Sequence, residues 1–368
     1  MCLTGAVVTG GAVTAHGATS HSSPSAIAKR LTLRELAGQR VIYSYAGLQP
    51  PPSLLKLIAA GEAAGVIFFG SNITSGPQLR ATVDELQQAA QQSPVHEPLL
   101  MMLDQEGGLV NRLPGAPIRS EKTIGESADG AQLAAGAGNA AGTNLRAAGI
   151  NVDLAPVLDV YREPGNFIDH YERSYSMDPA TAGRLGSAFI THLQDSGVAA
   201  TAKHFPGLGA ATTKQDTDAG PVELDQPLKQ IRQVDEAPYR AAIPAGVRLV
   251  MLSWAVYPAL DPAMPAGFSP TVVGTELRRR LGFSGVTITD SIGAGAITRF
   301  GSYRNRGVLA SRAGDDLILC STTDPGGNRP GVGVAVLNGI TRALTTGSLG
   351  RAAARQAAAR VIGLRASL

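Results

Sequence analysis

Leu99-Leu100-Met101-Met102-Leu103 runs directly into Asp104-Gln105-Glu106-Gly107-Gly108. Five apolar side chains without polar alternation predict a strand buried on both faces, as in a parallel sheet covered by helices. The acids and glycines that follow stand where such a strand ends. Seven more short apolar runs follow the same grammar, at 40–45, 65–69, 151–157, 199–204, 249–254, 286–289 and 316–320. Between them, apolar positions at helical period predict helices over 78–92, 131–148, 179–196 and 271–281. Alternating strands and helices predict parallel βαβ units. Eight such units predict an α/β fold, a single-domain (β/α)₈ barrel. The stretch 334–364 is rich in Ala, Leu and Arg and adds helix without a further strand series, so no second domain is expected. The barrel is assigned to 31–368 and a signal-like or disordered segment to 1–30.

Composition narrows the function. The chain has 368 residues, 44% of them hydrophobic, which supports a large core. Its net charge is +3, and the densest basic stretch, Arg278 to Arg280, falls on a helix face. That is no footprint for nucleic acid. His and Cys show no zinc spacing and no Gly-rich phosphate loop follows the first strand, so neither metal nor organic cofactor is expected. The two cysteines cannot build a disulfide framework; Cys320 lies in an apolar run and reads as a buried, inert thiol. Leu3 to Ala18 is apolar and small-residue-rich, like the end of a signal peptide without its basic start, which points to an extracytoplasmic protein. Cys2 becomes a lipidation site only if the natural precursor begins upstream. No stretch is long and apolar enough for a transmembrane helix.

Polar and Gly-rich residues cluster after the strands, at Asp104 to Gly108, Lys203-His204-Phe205-Pro206-Gly207 and Asp290-Ser291. In a (β/α)₈ barrel that face carries the active site. These segments also carry a resemblance. Gly65 to Ile73, Leu103 to Gly108, Leu154 to Val160, Glu172-Arg173-Ser174-Tyr175, Lys203 to Gly207 and Gly285 to Asp290 occur in the order of glycoside hydrolase family 3. Together they resemble its single-domain bacterial β-N-acetylglucosaminidases. The resemblance implies a retaining exo-β-glycosidase acting on terminal β-N-acetylglucosamine from cell-wall or chitin fragments.

It also implies roles. Asp290 matches the nucleophile, which forms a glycosyl-enzyme intermediate; read alone, it also suits a helix cap. Asp104 matches a carboxylate gripping two sugar hydroxyls. Lys203 and His204 match a pair on the same ring, although Lys203 also suits an ion pair with Asp104 and His204 a satisfied core histidine. Arg173 matches a hydroxyl-binding residue or a loop brace, and Arg112 an arginine near the pocket. A cis peptide is expected in the His204-Phe205-Pro206 segment.

The loop after Lys203-His204 departs from the pattern. Relatives carry an Asp-Ser-His triplet whose His is the general acid/base. Here Gly209 to Gly220 contains no His, and the best match places Asp216, Thr217 and Asp218 on the triplet. Three outcomes stay open. Asp218 is the acid with a raised pKa, another acid such as Glu172 substitutes, or the protein binds sugar without cleaving it well. Asp216 and Asp218 equally suit a turn. Phosphorolysis ranks low, because both acids would repel phosphate. Trp254, the only Trp, replaces a frequent His at the sixth strand and either stacks on a sugar or packs below the rim.

Overall fold

The structure, a computed structural model, describes residues 1–2 and 22–368. The expected signal-like stretch from Leu3 to Ala18 lies outside the described residues. Eight parallel strands form one sheet: β1 Val41–Tyr43, β2 Gly65–Ile67, β3 Leu100–Leu103, β4 Val152–Asp153, β5 Ala199–Phe205, β6 Leu249–Leu252, β7 Val286–Thr289 and β8 Ile318–Cys320. The order along the sheet follows the chain from β1 to β7, and β8 pairs with β1. The seam closes between β7 and β8. Leu317 N–H donates to Thr287 O at 2.9 Å, Thr289 N–H donates to Leu317 O at 3.1 Å, and Ile288 bridges Leu317. The eight expected strands are therefore the eight of a closed barrel.

Side-chain alternation fills it. Leu100 and Met102 point inward with Ile42, Ile67, Leu249, Met251, Ile288 and Leu319. Met101 and Leu103 point outward, with Val41, Val66, Val250 and Ile318, into the shell of helices. Every residue of β3 is buried because one face meets the barrel interior and the other the helices. Cys320 packs in the outer shell, where burial pushes its thiol well above the ordinary range.

The expected helices appear as Gly76–Gln91, Gly130–Ala147, Pro179–Asp195 and a wide, π-type helix Thr271–Arg280. The C-terminal stretch is two helices, Pro330–Thr345 and Arg351–Ala366. The N-terminal boundary differs from expectation. Pro24–Arg30 is a helix capped by Ser23, and it buries Ile27 and Ala28 against Arg351–Ala366. The folded unit thus begins before residue 31. Its buried face is set by a partner helix that only the fold brings near.

Candidate active site

A cavity of about 620 Å³ opens at the C-terminal ends of the strands. Its apolar floor includes Ile67, Leu154, Met251 and Leu319, from β2, the end of β4, β6 and β8. Four inward residues from alternate strands make one layer of a barrel core, and the pocket stands on it. Around this floor stand Asp104, Arg112, Arg173, Lys203, His204, Asp216, Asp218 and Asp290. Of the candidates singled out by sequence, the fold brings these eight together and leaves Glu172 and Trp254 outside the lining.

Ion pairs organise one side. Lys203, almost fully buried at the end of β5, reaches Asp104 and Glu106 at 2.7 Å each. Arg173 grips Glu106 with two bonds of 2.8 Å, a bidentate arrangement. Arg112 lies 3.8 Å from Asp104 and is more loosely paired. Burial opposes ionisation of Asp104, but Lys203 and Arg112 outweigh it and hold the carboxyl below its usual range. Glu106 is likewise penalised by burial, yet Arg173 and Lys203 bring it down to about 2. Burial also disfavours the charge on Lys203, and the two acids more than offset that. This is a charged, preorganised wall suited to hydroxyl groups.

Glu106 has no expected role in the sequence, although it lies in the Asp104 to Gly108 motif. It enters through a hairpin, Gln105–Gly107 paired with Val110–Asn111. Gly107 and Gly108 turn that hairpin with positive φ, and a side chain on Gly107 would collide with the Arg119 carbonyl. Asp159 is the second missed residue. Fully buried, it accepts from His204 Nδ1 at 2.7 Å and from the backbone N–H groups of His204 and Leu208 at 3.2 and 2.7 Å. The bond from Nδ1 fixes the ring and turns Nε2 toward Arg173 Nη2, 3.5 Å away. The Lys203–His204 and Phe205–Pro206 peptide bonds are both cis, and the second lies in the expected segment.

Asp290 extends from the end of β7, part-exposed, and accepts from Ser291 N–H at 2.7 Å. Asp218 comes from the opposite construction, a long loop hung on its neighbours by backbone bonds. Gly209 O accepts from Arg162 N–H at 3.1 Å and from Asn166 Nδ2 at 2.8 Å, and Ala211 O accepts from Phe167 N–H at 3.2 Å. At the far end, Gly295 and Ala296 N–H donate to Asp218 O and Thr217 O at 2.9 and 3.0 Å. Asp216 Oδ1 accepts from Asp218 N–H at 2.8 Å, so Asp216 forms the turn that carries Asp218. The Asp218 carboxyl is pushed up to about 7. Desolvation in the pocket mouth is the first cause, the negative charges of Asp290 and Asp216 the next, with Arg173 opposing. The residue as a whole is still exposed, so solvent reaches the group.

Two expectations are corrected. Trp254 does not line the cavity. It is 1% exposed, its ring lies 4.6 Å from that of Phe268, and its Nε1–H donates to Ser291 O at 2.8 Å. The indole packs below the rim because a buried carbonyl satisfies its one polar atom. Glu172, the substitute acid, is exposed and lies outside the cavity lining. It takes a positive φ of 55° as the turn between Asp169 and Arg173.

The family model described as the glycosyl hydrolase family 3 N terminal domain matches residues 33–364. An "uncharacterized secreted glycosyl hydrolase" of Arthroderma benhamiae is 45% identical over 346 residues, covering 94% of this chain and 96% of that one. A β-hexosaminidase of Tolumonas auensis is 34% identical, covering 77% of this chain and 81% of its own. Among solved structures, a family 3 β-N-acetylglucosaminidase of Paenibacillus sp. FPU-7 superposes with a TM-score of 0.85 at 35% identity, over 92% of this chain and 63% of that one. A β-N-acetylhexosaminidase of Beutenbergia cavernae gives 0.82 at 31% identity, over 91% and 98%.

Proposed function

The chain belongs to glycosyl hydrolase family 3, and on that premise we propose that it is a retaining β-N-acetylhexosaminidase in which Asp218 takes the role of the usual loop His. The observation that carries this is the pairing of two unlike carboxyls in one pocket. Asp290 is held at a strand end, and Asp218 is pushed up to about 7 by desolvation and by the charge of Asp290. A carboxyl raised in this way beside a second carboxyl is suited to the acid's role.

In the first step an Asp290 oxygen bonds to the anomeric carbon. The glycosidic bond breaks, and its oxygen leaves with the Asp218 proton. In the second, Asp218 takes a proton from water while the water oxygen attacks the same carbon, releasing Asp290 and a sugar of the original configuration. Asp104, Lys203, His204 and Arg173 hold the sugar ring. Glu106 and Asp159 position those residues without touching the reacting atoms. The preference for N-acetylglucosamine and for cell-wall or chitin fragments is supported by the names of the hexosaminidase relatives. Export is supported by the apolar N-terminal segment and the secreted relative; N-terminal sequencing of culture-medium protein is its check.

The test compares nitrophenyl β-N-acetylglucosaminide with N,N′-diacetylchitobiose. Turnover of both, release of the β-anomer first, and loss of at least on the order of 10³-fold in kcat for Asp290→Ala are expected. Turnover of neither substrate overturns the hydrolase. Turnover of the activated substrate alone leaves Asp290 in place and removes Asp218 as an effective acid.

A further inference from the structure

The helix Phe167–His170 and the residue that ends it, Tyr171, contribute two aromatic rings to the cavity lining, beside the charged wall of Asp104, Arg173 and Lys203. Phe167 and Tyr171 stand four residues apart, one above the other on the same helix face. Tyr171 is 44% exposed. Its ring is braced edge-on by Phe167 at 5.8 Å and by His170 at 5.0 Å between centroids. An exposed ring held rigid from two sides at a pocket rim gives up little freedom on stacking against a ligand. The location says which part of a ligand it meets. The segment is joined to the loop that carries Asp218 through Phe167 N–H to Ala211 O and Asn166 Nδ2 to Gly209 O. The leaving oxygen departs on the side of the acid, so the leaving group passes between Asp218 and this rim.

We propose that Tyr171, braced by Phe167 and His170, is the stacking platform of a leaving-group subsite that takes a second pyranose ring by its apolar face. This rests on the hydrolase assignment above and on Asp218 marking the leaving-group side. The subsite makes the preferred substrate an oligosaccharide rather than a simple alkyl glycoside.

The experiment uses two substrates with unactivated alkoxide leaving groups, N,N′-diacetylchitobiose and methyl β-N-acetylglucosaminide, on the full-length enzyme. Both need the same proton, but only one has a ring to stack. Tyr171→Ala lowers kcat/KM for the disaccharide about tenfold and leaves the methyl glycoside within about twofold, as expected for one lost stacking contact. Tyr171→Phe, which keeps the ring, restores the disaccharide rate. Equal losses on both substrates, or none on either, overturn the platform. Should the wild type cleave neither substrate, the hydrolase assignment fails separately. Calorimetry then decides the platform alone: weaker binding of the disaccharide but unchanged binding of N-acetylglucosamine by Tyr171→Ala supports it, and equal changes overturn it.

Discussion

The two sides of the pocket are built in opposite ways. On one, Asp104, Glu106, Arg173 and Lys203 close into a network of ion pairs of 2.7–2.8 Å between side chains that are largely buried. On the other, Asp218 rides on an exposed loop from Gly209 to Gly220, fixed by backbone bonds at both ends. The first side is rigid because breaking any pair strands a charge in low dielectric. The second keeps its carboxyl solvent-reachable and titratable. A sugar-holding wall benefits from rigidity, whereas an acid/base must exchange protons in every cycle. On the proposed reading, the group that must exchange protons stands where the scaffold constrains it least.

The sharpest way to break the contrast is Asp218→Asn. If the loop supplies the acid, kcat on N,N′-diacetylchitobiose falls by about 10²–10⁴-fold, while the nitrophenyl substrate, which leaves without a proton, is much less affected. The pH profile adds the sign. An acid near pH 7 is protonated below that value and ionised above it, so the wild-type rate on the disaccharide declines as pH rises through about 7. That alkaline limb disappears in Asp218→Asn. A limb that survives the substitution moves the acid to another group.

The rigid side is probed by stability. Lys203→Met removes the one cation shared by Asp104 and Glu106, leaving both buried acids short of a partner. The expected cost is about 3–5 kcal/mol, read from the urea midpoint. Asp216→Ala, in the exposed loop, costs far less in the same measurement, because its contribution is one turn bond. A loss of equal size in the two variants would erase the distinction between the two sides.

What was legible in the sequence divides along similar lines. β3 is readable because a parallel strand buried on both faces runs apolar throughout, and the polar residues at the ends of β3, β5 and β7 mark the functional end. Asp104, Lys203 and Asp290 stand at those ends and are found. Glu106 and Asp159 are not, since their roles lie in partners 67 and 45 residues away, Arg173 and His204. Nothing local distinguishes them from turn acids. The helix Pro24–Arg30 escapes for the same reason, its buried face being defined by a helix at the other end of the chain. Asp218 is intermediate: the motif locates it, but its raised pKa comes first from burial and then from the charge of Asp290, both of which only the closed barrel supplies.

Trp254 supplies the smallest and most discriminating test. A lone Trp at a strand end invites a sugar-stacking role, yet here the indole is enclosed by Phe268 and donates to Ser291 O, next to Asp290. Trp254→Phe removes that hydrogen bond and part of the ring while keeping an aromatic core residue. A loss of about 1–2 kcal/mol in unfolding free energy is expected from the orphaned carbonyl and the residual space. KM for both chitobiose and the nitrophenyl glycoside should stay within about twofold, since no sugar reaches the ring. A rise in KM with unchanged stability would return Trp254 to the binding surface and would move the aromatic contact away from Tyr171. The two aromatics are thus separable by one pair of measurements: the expected outcome is that Tyr171→Ala changes substrate preference and not stability, and Trp254→Phe the reverse.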